Sequence, residues 1–353
     1  MPRPPEPPAI APVIHLFAGL PTAGVASGMG RIRRLLDVQT FAAFAEQPRA
    51  ACPESGVLLP PFVETSQLVE DWSATAFLSF RFGAEAALGK IVALIDTDFF
   101  ADQLASSDPI SAYDWGKTER DARTVADIVA GIAESATHLV LIGSERSRDR
   151  VLPMLLVLNP RARCLAIDCA SDATLRDFVT GRLPCGAAEV VPPWLELLRG
   201  DLRVSEMGDS FVYRRARPFD PGRFAEWIED PPAALIRGKG NIWLANRPTQ
   251  AFGYSCAGEV HRVFPAGRWW AGYPASHWPS DEAHRRRLLE RWHPQFGDRR
   301  QELAFQGLGL DAAQIRADLD ACLLSETSAL VSLDDASAMI STPLQPAASV
   351  GLH

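Results

Sequence analysis

The chain has 353 residues, of which 47% are apolar and 22% charged, and its formal charge is −8. This is an ordinary globular composition, long enough for two domains. The acidity argues against a general nucleic-acid binder, which carries a basic field, and no uninterrupted apolar run is long enough to span a bilayer, so neither nucleic acid nor membrane is expected as a partner.

The start, Met1-Pro-Arg-Pro-Pro-Glu-Pro-Pro, lacks a signal-peptide apolar core and reads as a disordered leader over 1–11. A cytoplasmic location follows by default. Val13 to Phe17 then reads as a short apolar strand, followed by Gly19-Leu-Pro-Thr-Ala-Gly-Val-Ala-Ser27 and a helix ending near Leu36. That stretch has the outline of a phosphate-binding P-loop, with Gly19 and Gly24 at the right spacing. The Lys and Ser/Thr that such a loop requires next are replaced by Val25 and Ala26. The lysine would neutralise phosphate and the hydroxyl would hold Mg²⁺; neither replacement can. Ser27 reaches a metal only if the loop shifts by one residue. Read without further context, the same pattern is a plain strand-to-helix turn.

Further along, Ile91 to Ile95 reads as a strand ending in Asp96. Glu119 to Ala136 has helical periodicity, with Val125, Ile128, Val129 and Ile132 on one side. Leu139 to Ile142 reads as a buried strand and Cys164 to Ile167 as the next strand, with Arg148 to Leu158 a helix that Pro153 can kink. Alternating strands and helices predict a parallel α/β sheet over 12–200, with ligands beyond the carboxyl ends of its strands. Asp96 stands at such an end, either as a metal or switch carboxylate or closing the strand-to-loop turn.

The pattern changes after about Pro192. Strand-like runs at Ser210 to Arg215, Asn241 to Ala245, Glu259 to Phe264, Arg268 to Ala271 and Glu302 to Gly307 alternate with turns. Helices start after Ser280 and at Asp311, where Gln314 suggests a capping box. These predict a smaller α+β domain over 209–326, its last helix burying Ile315, Leu319 and Leu323. The stretch 327–353 reads as a flexible tail.

The second domain carries a resemblance. Arg237-Gly-Lys-Gly-Asn-Ile-Trp-Leu-Ala-Asn-Arg-Pro248, Pro265-Ala-Gly-Arg-Trp-Trp270, Phe296-Gly-Asp-Arg-Arg-Gln-Glu-Leu303 and Leu319-Asp-Ala-Cys-Leu-Leu324 resemble, in order, the C-terminal domain of the CobW family. The entry strand Ser210 to Phe219 resembles that family's linker strand. Upstream, Leu94-Ile-Asp-Thr97, Arg123-Thr-Val-Ala-Asp127 and Leu158-Asn-Pro-Arg-Ala162 are similar to elements of its GTPase domain. The resemblance implies a P-loop GTPase fold followed by a CobW C-terminal domain, a metallochaperone context, and GTP with Mg²⁺ as cofactors.

Carried over residue by residue, the resemblance places Gly19 and Gly24 at the P-loop glycines. It puts the family's guanine-reading Asn-Lys-x-Asp on Ile142-Gly-Ser-Glu145, where only the carboxylate of Glu145 survives, on a longer arm. Glu54-Ser55 matches the family's switch motif weakly. The Cys-x-Cys-Cys metal motif and the histidine-rich insert of some members have no counterpart. The vestigial nucleotide site is therefore Gly19, Gly24, Ser27, Asp96 and Glu145. No catalytic residue, metal site or firm cofactor is assigned, since the replaced residues speak against GTP and Mg²⁺.

Other candidates have plainer readings. Asp96 and Glu145 also fit a turn-closing and a solvated loop carboxylate. His277, His284 and His293 are irregularly spaced for zinc, which needs three or four converging ligands. Cys256 and His261 could meet across a hairpin, but two ligands do not make a site. The cysteines Cys52, Cys164, Cys169, Cys185, Cys256 and Cys322 contain no Cys-x-x-Cys pair and read as free thiols. The arginines at 31, 33, 34 and 285–287 read as solvated helix faces. Trp269 and Trp270, taken as strand neighbours, point to opposite faces, one in the core and one available to anchor a partner.

The leading expectation is a degenerate CobW-like protein of metal homeostasis, zinc above other metals. Its pseudo-GTPase domain binds or regulates, and a client protein docks through the C-terminal domain. Two alternatives stand beside it. One is a divergent active GTPase in which Lys90 or Lys117 supplies the missing cation; the other is a metal carrier that has dispensed with nucleotide.

Overall fold

The computed structural model describes residues 13–46, 54–61, 63, 87–113, 115, 121–181, 191–200, 209–232 and 234–329. The leader over 1–11, Cys52, Cys185, Lys117 and the tail beyond 329 lie outside them.

The first sheet is six-stranded and wholly parallel, in the order β2-β3-β1-β4-β5-β6. Its strands are β1 (Val13–Ala18), β2 (Val38–Thr40), β3 (Glu54–Leu58), β4 (Ala87–Asp96), β5 (His138–Ile142) and β6 (Arg163–Ala166). β1 lies between β3 and β4, with Val13 opposite both Glu54 and Ala87. The chain builds one side of the sheet and then returns to the other, so the switch point falls beyond Ala18 and Asp96. All of β1 and β5 is buried, as continuous apolar runs covered on both faces must be.

Helices α1 (Ala23–Arg33), α2 (Phe41–Glu46), α3 (Phe100–Leu104), α4 (Val125–Ser135), α5 (Glu145–Leu158) and α6 (Asp172–Val179) complete this half, while α7 (Pro193–Arg199) packs its Leu197 and Leu198 against Ala304 of the second sheet. The helix expected from Glu119 starts only at Val125. There Thr124 and Asp127 form a reciprocal capping box that satisfies the free N–H groups. α5 begins three residues earlier than expected, because Ser144 caps it by accepting from Ser147 N, and it runs through Pro153 as one helix.

The second sheet is antiparallel, in the order β10-β9-β8-β11-β7, from β7 (Asp209–Arg215), β8 (Leu235–Ile242), β9 (Gln250–Ala257), β10 (Val260–Arg268) and β11 (Gln301–Gly307). The strand expected at Asn241 to Ala245 is in fact the end of β8, which stops at Ile242; Leu244 makes only an isolated bridge with Phe219 before the turn at Ala245. β9 carries no strong period-two signal, and only the expected hairpin pairing of Cys256 with His261 points to it. Arg268 to Ala271 is not a strand: β10 ends at Arg268, and Trp270–Gly272 is a 3-10 turn.

Besides α7, three helices belong to this half: α8 (Pro221–Glu229), α9 (Glu282–Glu290) and α10 (Ala312–Ala321). Asp311 caps α10 by accepting from Ala313 N and Gln314 N, but Gln314 turns to Asp318, so the capping box is half made. Ile315, Leu319 and Leu323 are buried as expected. Ser325 starts a further helical turn whose Ala329 packs with Trp243, Trp269 and Phe296, so the chain stays ordered against the core past Thr327.

Alternation along β9 shows how the second sheet is sandwiched. Tyr254 and Cys256 face α8 and α10 in one core, while Ala257 joins the core around α4 and Ser255 bonds Asp127 there. The two halves are fastened by buried polar contacts. Arg237 of β8 forms a two-pronged ion pair with Glu134 of α4, its second prong at 3.2 Å; the side chains are 1% and 2% exposed. Gln306 of β11 donates to the carbonyl of Val157 at 2.7 Å.

Candidate nucleotide site and metal ligands

The loop after β1 is short. Thr22 caps α1, accepting from Val25 N at 3.1 Å, and its hydroxyl donates to Asp96 Oδ2 at 2.6 Å. Gly19 and Gly24 are needed for close approach: a Cβ on Gly19 would lie 2.9 Å from the carbonyl oxygen of Leu94, and one on Gly24 would lie 2.4 Å from Asp96 Oδ2. Gly19, Gly24 and Asp96 therefore do meet, at the switch point of the sheet. Asp96 is 6% exposed, and its other oxygen accepts from Asp98 N at 3.3 Å, which closes the strand-to-loop turn.

Beside the loop lies a cleft of about 510 Å³, walled by α1, α2 and the end of β3. Val25 and Ala26 line it where a working loop presents lysine and hydroxyl. Pro21, Met29, Phe41 and Leu59 extend its apolar wall, and Arg33 is its one cation among the described residues. Ser27 is exposed and does not line the cleft.

Glu145 is the first residue of α5, exposed, on the far side of β4 from this cleft. The segment before it is built for structure. Gly143 adopts φ +128°, and a Cβ there would strike Thr97 Oγ1. Thr97 in turn bonds the Ile142 carbonyl and Ser147 Oγ, at 2.9 and 2.8 Å. This hydroxyl cluster was not foreseen; serines and threonines at strand ends carry no pattern of their own.

Three further expectations are corrected. Glu54 sits at the amino end of β3, opposite Val13, where it accepts from Gly181 N at 3.1 Å; it is at the wrong edge of the sheet to act as a switch. Lys90 also lies near that edge, about 20 Å along β4 from Asp96 at ~3.3 Å per residue. Its ammonium is tied to the carbonyls of Asp177 and Phe178 at 2.8 and 2.9 Å. Arg31 is no solvated arginine: it holds the carbonyls of Ile167 and Ala170, both at 2.6 Å, and Asp172 at 2.8 Å, docking α1 to the loop after β6.

The residues present do not fit GTP with Mg²⁺. The cradle has neither its cation nor its metal-binding hydroxyl, and the adjoining wall is apolar. Nor do three or more His, Cys, Asp or Glu side chains among the described residues converge as a metal site. Cys256 and His261 are cross-strand partners, yet the thiol turns to the Gly258 carbonyl and the imidazole to Tyr254 OH, 2.9 Å away. Burial pushes the Cys256 thiol up to about 12, the opposite of what a thiolate ligand needs. His277, His284 and His293 go separate ways, His293 stacking on Phe296. Trp269 is buried and Trp270 partly exposed on the 3-10 turn.

No helix among the described residues is long and apolar enough to cross a membrane.

Residues 209–323 match the cobalamin synthesis protein cobW C-terminal domain. The chain is 28% identical over 259 residues to zinc-regulated GTPase metalloprotein activator 1 of Dictyostelium discoideum, covering 70% of this chain and 54% of that protein. It is 32% identical over 217 residues to a zinc chaperone of Mycobacterium tuberculosis, covering 58% and 51%. It thus spans about half the length of the curated relatives it matches. Among solved structures, the Zn(II)-bound YjiA GTPase from E. coli is similar at 11% identity and a TM-score of 0.33, over 89% of this chain and 99% of that one. With its four motifs in order along β8, the end of β10, β11 and α10, and that domain match behind them, residues 209–323 are a CobW C-terminal domain.

Proposed function

We propose that this protein acts in metal homeostasis, with zinc as the metal, and that its first domain is a binding and regulatory module that does not hydrolyse GTP. The relatives named for zinc support the metal context. The nature of the cleft carries the rest: Val25 and Ala26 face it where phosphate chemistry needs a cation and a hydroxyl. Loss of one charge-assisted phosphate contact costs about 1.5–3 kcal/mol, roughly tenfold to a hundredfold in affinity. Lys90, one of two lysines that could have replaced it, is anchored at the opposite edge of the sheet. The C-terminal domain serves as the docking module for a client protein.

Calorimetric titration tests the nucleotide half. Injected GTP should give only heats of dilution, with or without Mg²⁺; saturable binding of GTP but not ATP would favour the active-GTPase reading. Growth tests the metal half. Deletion of the gene should slow growth under zinc limitation and not in zinc-replete medium, and equal growth in both would remove the metal role.

A further inference from the structure

A groove of about 650 Å³ opens on the C-terminal domain between the end of β10, the 3-10 turn at Trp270 and α9. Four arginines line it, Arg268, Arg287, Arg291 and Arg300, against the two carboxylates Glu290 and Asp298. On a chain of formal charge −8 this is a local reversal of sign. The arginines are poorly neutralised. Arg291 and Arg300 both reach Glu302 at 3.1 Å, and Arg214 takes the same carboxylate at 2.9 Å, so one anion serves three guanidiniums. Asp298 is turned inward, with both oxygens accepting backbone N–H groups, those of Trp270 and Ala271, at 2.8 Å. Arg268 lies over the Tyr273 ring, 5.0 Å from its centroid. Neither Arg268 nor Arg287 has a carboxylate partner among the described residues, and both are exposed.

A second observation points the same way. α9 buries no residue at all, and its Leu289 is 47% exposed. A nine-residue helix has little stability of its own and normally relies on a packed apolar face. The groove wall opposite is aromatic: Trp269 is buried with its indole N–H unpartnered, and Trp270 is half-buried. Arginine and tryptophan around a concavity are the composition of protein-interface anchors.

We propose that this groove docks an acidic segment of a partner protein, a short stretch whose Asp and Glu side chains pair with Arg268 and Arg287 while an apolar neighbour covers Trp270 and Leu288. Guanidinium forks match carboxylates in pairs. A nucleic acid is disfavoured: its phosphates run well past a groove of this size, and it must also pass Glu290. The inference rests on the reading of the C-terminal domain as the client-docking module and uses no residue of the nucleotide cleft.

The test is fluorescence anisotropy with the full chain and a labelled peptide rich in Asp and Glu. The controls are its Asn/Gln counterpart and a single-stranded oligonucleotide. The acidic peptide should bind more tightly than both, and weaken as salt rises. The double variant Arg268→Glu/Arg287→Glu should lose about tenfold or more in affinity with an unchanged melting temperature, since both side chains are exposed. Equal binding of the amide peptide, an unaffected double variant, or tighter oligonucleotide binding would overturn the proposal. In each of these cases the nucleotide titration and the zinc-limited growth result stand unchanged, so the two readings fail separately.

Discussion

Thr22 Oγ1 donates to Asp96 Oδ2 at 2.6 Å while accepting from Val25 N at 3.1 Å. One hydroxyl therefore caps α1 and holds the terminal carboxylate of β4 against Gly24. Asp96 is 6% exposed and both its oxygens accept hydrogen bonds, so this carboxylate is committed to holding the turn.

Thr22→Ala removes both bonds. Loss of an N-cap costs about 1 kcal/mol, and the buried Asp96 loses a partner as well, so the variant should be about 1–3 kcal/mol less stable in urea denaturation. Thr22→Ser keeps the oxygen and should stay close to the parent. A Thr22→Ala variant as stable as the parent would show that the contact contributes nothing.

The Arg237–Glu134 pair joins the two halves where neither side chain reaches water. Removing one member strands a buried charge, so Glu134→Ala should cost about 3–5 kcal/mol, whereas replacing both by apolar residues of similar volume should recover most of it. Thermal melts of Glu134→Ala and of Arg237→Met/Glu134→Leu measure this. A double variant no better than the single would show that the packing, not the stranded charge, sets the cost.

Two buried histidines, His15 and His138, and the half-buried His261 contribute to the acid limb of stability. Burial lowers His15, His138 and His261 to about 4, helped at His15 by Lys90 and at His138 by Lys90 and Arg163. Each is neutral in the folded chain down to about pH 4, while the unfolded chain takes up its proton near 6.5. The unfolded state therefore binds more protons between those values, and stability falls as pH drops through the window. Each histidine contributes a slope of up to about 1.4 kcal/mol per pH unit. Urea midpoints measured from pH 7.5 to 4.5 should decline, and His138→Phe should remove one histidine's share of the slope. An unchanged slope in that variant would contradict the assignment.

Much of the frame is legible in the residues. Apolar runs gave β1, β4 and β5 because both faces of a parallel sheet are covered, so these strands are apolar apart from His15, Lys90, His138 and the terminal Asp96. The glycine spacing located the Gly19–Gly24 loop and its approach to Asp96. What stayed hidden is tertiary. Arg237 opens the most specific motif of the second domain, yet only the fold shows that its partner is Glu134, 103 positions away. The alternation of β9 is obscured because both of its faces are buried, one under α8 and the other under α4. Glu54 reads as a candidate by a weak motif match and Lys90 as one of two lysines; their partners, Gly181 and the carbonyls of Asp177 and Phe178, are far off in sequence and appear only in the fold.

Release of inorganic phosphate from GTP with Mg²⁺ tests the central claim most directly. The purified chain should give no turnover above a protein-free blank. Sustained Mg²⁺-dependent release that is abolished by Asp96→Asn would contradict the account, because it would mean that the carboxylate held by Thr22 serves a working phosphate site.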